Sequence, residues 1–85
     1  MGPIQDRGGP VRIGIVGAGH VGATTGYALL MSGLAAEIVL IDQDTRRADG
    51  EAMDLNHAVP FTHPTRVWAG DYADLSRALV TINKL

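Results

Sequence analysis

Apolar residues along the chain fall into short runs separated by stretches with helical spacing. The first run is Val11-Arg12-Ile13-Gly14-Ile15-Val16. Its near-continuous apolar character is that of a strand covered on both faces, as in a parallel sheet. The second, Ile38-Val39-Leu40-Ile41, is β-branched and bounded by charges. Residues 65–69 read as a third strand and residues 79–82 as a possible fourth. Between the first two runs, Val21, Thr24, Ala28 and Met31 recur at helical spacing. They predict a helix over about residues 20–31 with those four on one face. Ser32-Gly33 supplies its stop, since glycine tolerates the left-handed conformation at a helix end. Asp44-Thr45 offers an N-cap for a second helix over about residues 46–57. Ala48, Ala52, Met53 and Leu55 would form its buried side, and Pro60 and Pro64 prevent simple continuation. Gly70-Asp71-Tyr72 reads as a turn and residues 73–78 as a helical turn.

This order predicts an α/β chain: β-α-β-α-β with a parallel sheet and a possible fourth strand. Such an arrangement is one mononucleotide-binding half of a Rossmann fold, which when complete has two halves. Residues 1–10, with three glycines and two prolines, read as a flexible leader. Residues 11–85 are expected to be a partial dinucleotide-binding domain, without a catalytic domain.

Composition narrows the chemistry. Eighty-five residues make one small domain with a marginal core. A net charge of −2 argues against general affinity for nucleic acid or anionic membranes. With no cysteine, a disulfide framework, a thiol nucleophile and a cysteine zinc site are all excluded. No apolar stretch approaches the roughly 18 residues of a membrane helix. A signal pattern is lacking at the start, so a cytoplasmic protein is expected.

The candidate chemistry sits at Gly17-Ala18-Gly19-His20-Val21-Gly22, directly after the first strand. Gly17 would permit the tight exit from the strand. Gly19, without a side chain, would let the backbone approach a pyrophosphate, and Gly22 would let the helix pack on the first strand. Amides at the helix start would face the anion, favoured by the macrodipole. Val21 would present its backbone to the ligand while its side chain packs inward. Asp42 ends the second strand, one βαβ unit later. There a carboxylate accepts from ribose hydroxyls and repels a 2′-phosphate, selecting NAD over NADP. The competing readings are a glycine turn that merely joins strand to helix and a strand-end turn aspartate. Asp44, as the capping residue, would leave Asp42 freer for the ribose. Arg46 and Arg47 lie close enough to bind a 2′-phosphate.

The glycine turn, Val39-Leu40-Ile41-Asp42, Gly50-Glu51-Ala52-Met53-Asp54-Leu55-Asn56-His57-Ala58-Val59-Pro60-Phe61 and Gly70-Asp71-Tyr72-Ala73-Asp74-Leu75 together resemble the start of bacterial L-lactate dehydrogenases. The Asp-Leu-Asn-His-Ala-x-Pro-Phe stretch is more similar to lactate than to malate dehydrogenases. The resemblance covers about residues 11–75. It implies NAD contacts at Gly17, Gly19, Val21, Gly22, Asp42, Arg47 and Tyr72. Arg47 matches the family's basic residue just after the ribose-binding acid, or else is an exposed helix arginine. Tyr72 matches a tyrosine flanking the adenine pocket, or else packs under a loop.

The resemblance also implies what is missing. In that family a histidine, oriented by an aspartate, protonates the carbonyl oxygen of pyruvate as nicotinamide delivers hydride. Arginines clamp the carboxylate and a mobile loop closes over substrate. No residue here matches any of these, so no catalytic residue is assigned and the chain is expected to be inactive alone. His57 and His63, six apart with Pro60 between them, lack metal-ligand spacing, His20 reads as filler in the glycine turn, and no metal site is expected. His57 suits a helix end, beside the last carbonyls. The family leaves its fourth strand through an Ala-Gly turn, whereas here Thr81-Ile82 leads into Asn83-Lys84-Leu85. Complete members are homo-oligomers acting on 2-hydroxy and 2-keto acids. The alternatives are a malate or other 2-hydroxyacid dehydrogenase fragment, a non-catalytic nucleotide-binding module, or a folding fragment.

Overall fold

The computed structural model describes residues 11–17, 19–62, 64–78 and 80–83, and for His20, Val21, Val80 and Asn83 the backbone alone. The expected leader and His63 lie outside these. Four strands, β1 (Arg12–Val16), β2 (Glu37–Ile41), β3 (Arg66–Ala69) and β4 (Val80–Asn83), alternate with helices α1 (His20–Ser32) and α2 (Thr45–Ala58) and two short 3₁₀ segments, Val59–Phe61 and Tyr72–Arg77. The strands form one sheet in the order β3-β2-β1-β4. Every pairing is parallel, with Ile13 opposite both Ile38 and Val80. The expected α/β half-fold is therefore present, and the possible fourth strand forms on the free edge of β1. Since β2 and β3 add to one side of β1 and β4 to the other, the strand order reverses beside β1. In open parallel sheets, ligands bind at such a reversal, outside the carboxyl ends of the strands.

Alternation along the strands gives the sheet two apolar faces. Ile13, Ile15, Ile38, Leu40 and Val67 point to one side and pack with Leu30 of α1 and Ala48, Ala52 and Leu55 of α2. Val16, Val39 and Ile41 are buried on the other side, with Trp68 and Leu75 against them. This two-sided burial is why β1 and β2 lack the alternating polar pattern of a half-exposed strand.

The buried face of α1 differs from the expected one. Thr24, Ala28 and Met31 are exposed, and the residues turned to the sheet are Gly22, Gly26 and Leu30. The side chain of Val21 lies outside the description. Close approach explains the difference. A Cβ on Gly22 would run into the Gly17 carbonyl oxygen, and one on Gly26 would lie 2.9 Å from Leu55 Cδ1. The helix packs by lacking side chains, a feature that a search for apolar ones misses. Gly33, at φ 71° in the left-handed region, ends α1 as expected.

Helix α2 begins at the expected cap. Asp44 accepts hydrogen bonds from the amides of Arg46 and Arg47 at 3.1 and 3.3 Å. Ala48, Ala52 and Leu55 are buried, but Met53 is 60% exposed. With about 100° between successive residues, position 53 falls well off the stripe through 48, 52 and 55. The Asn56 side-chain amide donates to the Val67 carbonyl at 2.9 Å, tying α2 to β3. No helix among the described residues is long and apolar enough to cross a membrane.

The glycines yield a paired prediction. Gly22→Ala should destabilise the fold by about 1–3 kcal/mol, because backbone rather than a flexible side chain blocks the added methyl. Gly50 lies within α2 and, among the described residues outside its own helical turn, no atom comes within 4 Å of its Cβ position, so Gly50→Ala should stabilise by about 0.5–1 kcal/mol. Urea unfolding midpoints of the two variants check both signs.

Candidate functional site

The carboxyl ends of β1, β2 and β3 are stitched together by backbone hydrogen bonds. Gly17 follows β1 at φ 92°, a left-handed conformation that favours glycine. Its amide donates to the Ile41 carbonyl at 2.7 Å, and the Gly70 amide donates to the Leu40 carbonyl at 2.9 Å. The exits of the three strands thus converge at one end of the sheet. The Gly17 amide is consumed in this stitch, so that residue contributes shape rather than an anion donor.

The donors come from α1. Its N-cap is Gly19, extended at φ −86° and ψ −163°. The first bond of the helix runs from the Ala23 amide to the Gly19 carbonyl at 2.8 Å. Helix geometry therefore gives the amides of Gly19, His20, Val21 and Gly22 no acceptor within the helix. The orientation expected for the Val21 side chain lies outside the described residues. Unlike Gly22, Gly19 is not crowded. Among the described residues, its chain neighbours aside, the nearest heavy atom to its Cβ position is Arg47 Nη1, at 3.9 Å. Arg47 is exposed in the first turn of α2, and its guanidinium therefore reaches over the glycine turn. Open backbone, helix amides and a cation converge there, a donor set that fits a diphosphate.

Asp42 is half-buried at the exit of β2. Asp44 does cap α2, but this does not release Asp42, whose Oδ1 accepts the Asp44 amide at 2.8 Å. The bond sets the direction of the side chain by tying it to the start of α2. Tyr72 heads the 3₁₀ segment after β3 and is 56% exposed, not packed under a loop. Asp71 and Asp74 form a reciprocal cap around it. The structure thus groups Gly17, Gly19, Gly22, Asp42 and Arg47 at one sheet end and puts Tyr72 on the neighbouring exit.

Other features fall away from this end. A groove between α1 and α2 is lined by Ala23, Thr24, Tyr27, Glu51, Asp54 and Leu55. Its two carboxylates would repel a diphosphate. His57 is exposed in the last turn of α2. No cluster of three metal-ligating side chains occurs among the described residues. Sequence reasoning gave no role to Gly70 beyond a turn, yet a Cβ there would strike Asp74 Oδ2 and lie 2.6 Å from Val39 Cγ2. A glycine directly after a strand is the signal that marks such a close approach.

Comparison with known proteins places the chain in a family. A profile described as the lactate/malate dehydrogenase NAD-binding domain matches residues 11–83. The chain is 58% identical over 72 residues to a probable L-lactate dehydrogenase of Schizosaccharomyces pombe, covering 85% of this chain and 22% of that protein. Among solved structures, a lactate dehydrogenase from a Medee basin deep-sea metagenome superposes with a TM-score of 0.85 at 39% identity, covering 88% of this chain and 24% of that one. Cryptosporidium parvum malate dehydrogenase gives 0.81 at 27% identity, with the same coverage. The chain spans less than a quarter of the length of these relatives.

The contrast between Gly19 and Gly22 separates binding from folding. Gly19→Ala should leave unfolding free energy within about 0.5 kcal/mol, as expected where a methyl meets only ordinary contacts. If the turn holds a diphosphate, the same methyl would stand in its path, and affinity for ADP should fall about tenfold or more, a loss above 1.4 kcal/mol. Paired denaturation and titration calorimetry distinguish these outcomes.

Proposed function

The chain belongs to the lactate/malate dehydrogenase family of NAD-binding domains, and from that membership we propose that it holds the adenosine diphosphate portion of NAD. The amides at the start of α1 and the Arg47 guanidinium take the diphosphate. Asp42 takes the adenosine ribose, and Tyr72 flanks the adenine. Gly17 and Gly22 shape the turn, and Val21 contributes backbone. NAD would supply hydride-transfer chemistry when bound, and the residues present here bind and orient it without moving a proton. A complete protein with this domain would interconvert lactate and pyruvate using residues outside this chain. It would be cytoplasmic and homo-oligomeric. Residues 11–85 would form its partial NAD-binding domain, preceded by the leader. The observation that carries the reading is the open position over Gly19, with Arg47 Nη1 3.9 Å from it. A malate dehydrogenase lineage is the second reading, favoured by the structural likeness at 27% identity.

Calorimetric titration with NAD, ADP and NADP tests the proposal. NAD and ADP should bind with similar affinity and NADP about tenfold more weakly, because the Asp42 carboxylate meets its 2′-phosphate. Asp42→Ala should weaken NAD about ten- to a hundredfold, as for loss of charge-assisted hydrogen bonds worth about 1.5–3 kcal/mol. Equal affinity for NAD and NADP removes the role of Asp42, and no binding of any adenine ligand overturns the proposal. Pyruvate-dependent NADH oxidation by the purified chain would show that catalysis does not require residues elsewhere.

A further inference from the structure

The sheet face opposite α1 and α2 is crossed by residues 70–78. Leu75 packs there with Val16, Val39, Ile41 and Trp68. It enters through a gap in β1, since a Cβ on Gly14 would strike Leu75 Cδ2. Beside it Arg12, whose side chain is 12% exposed, joins three elements. Its Nε donates to Glu37 Oε1 on β2 at 2.9 Å. Its Nη1 donates to the Asp74 carbonyl at 3.3 Å and lies 4.0 Å from Asp74 Oδ1. Its Cζ stands 4.9 Å from the centroid of the Trp68 ring on β3.

Asp74 passes this restraint onward. Its Oδ2 accepts the Asp71 amide at 3.0 Å, and Asp71 Oδ1 accepts the Ala73 amide at 3.0 Å. Tyr72 lies between those two amides. A short 3₁₀ segment has poor hydrogen-bond geometry of its own, so its placement depends on such outside ties. A half-exposed aromatic ring on a loose segment would lose conformational freedom when it met a ligand. One held in advance loses less.

We propose that Arg12 is a positioning residue for Tyr72. By holding Asp74 against β1 and β2 from beneath the sheet, it presents the tyrosine ring to an adenine base at the opposite end of the strands. The role rests on the adenosine diphosphate reading above and extends it to a residue that need not touch the ligand. Arg12 is 62 positions from Asp74 along the chain.

Titrations of the full chain with ADP and with inorganic pyrophosphate, which has no base to stack, test the inference. Arg12→Met keeps the apolar stem and removes the guanidinium. It should weaken ADP about two- to tenfold, the range one aromatic contact is worth, and leave pyrophosphate affinity unchanged. Tyr72→Ala should behave alike, and the double variant should be no weaker than Tyr72→Ala alone. Arg12→Lys should give a smaller loss in the same direction, and it carries the test if Arg12→Met does not fold. Equal losses for pyrophosphate and ADP, or multiplying losses in the double variant, would show a general brace and overturn the inference. If the parent chain binds ADP and Tyr72→Ala weakens it while both Arg12 variants match the parent, the inference fails alone. If the parent binds no ADP, the underlying reading fails and takes the inference with it.

Discussion

The Gly17 carbonyl and the Gly22 Cα approach so closely that no side chain fits between them. Everything at the carboxyl end of the sheet depends on this contact. It brings the first turn of α1 against the exit of β1, and Gly17 can make the turn because it sits at φ 92°. The helix then runs along the sheet on Gly22, Gly26 and Leu30. A larger residue at position 22 would lift its first turn and re-aim the amides that the helix leaves without acceptors. The element that directs partial positive charge toward the crevice is therefore fixed by a missing methyl group. Packing and electrostatics are one constraint here.

The neighbouring loops repeat this economy. Gly70 is bound to Leu40 as Gly17 is bound to Ile41, one strand further along. Asp42 accepts from Asp44, and Asp44 accepts from Arg46 and Arg47. Each aspartate uses its side chain to fix the backbone just after it, so the strand exit and the helix start form one short rigid corner. The backbone of Arg47 is held in that corner while its guanidinium reaches over the glycine turn. Strand exits and a capped α2 start that are fixed in advance would reduce the conformational entropy lost if a ligand bound there.

Much of this was legible along the chain, for local reasons. β1 and β2 are continuous apolar runs because both their faces are covered. Asp44 and Gly33 are end signals whose physics lies within one helical turn. The motif residues Gly17, Gly19, Gly22 and Asp42 announce themselves by spacing. The buried side of α1 was not legible, because an apolar stripe is counted in side chains and this helix approaches the sheet through glycines. Met53 was misplaced because it is apolar beside a stripe it does not join. The tie from Arg12 to Asp74 has no local signature, since the two are brought together only when residues 70–78 fold back under the sheet. Gly14, alone in the middle of a strand, was the one available hint, as an isolated strand glycine marks a close approach. Gaps between elements are read from glycines, and long-range ties only from the fold.

The acid that would discriminate between cofactors also creates a conflict. A carboxylate at the end of β2 suits a ribose, but it stands near the turn proposed to hold a diphosphate. Two unit charges at close range repel by a few kcal/mol at an effective dielectric of about 20. That is enough to weaken an anion more than a hundredfold if nothing opposed it. The helix start alone offers about half a positive charge. Arg47 supplies a full one from the corner that Asp42 helps to build. The acid's bond to the Asp44 amide, and the Asp44 bonds to the amides of Arg46 and Arg47, hold the repelling charge and its antidote on the same few residues. On the proposed reading, selectivity against a 2′-phosphate and tolerance of the diphosphate would then require no separate elements. Both would follow from one turn that carries a carboxylate at the strand exit and a guanidinium over the glycines.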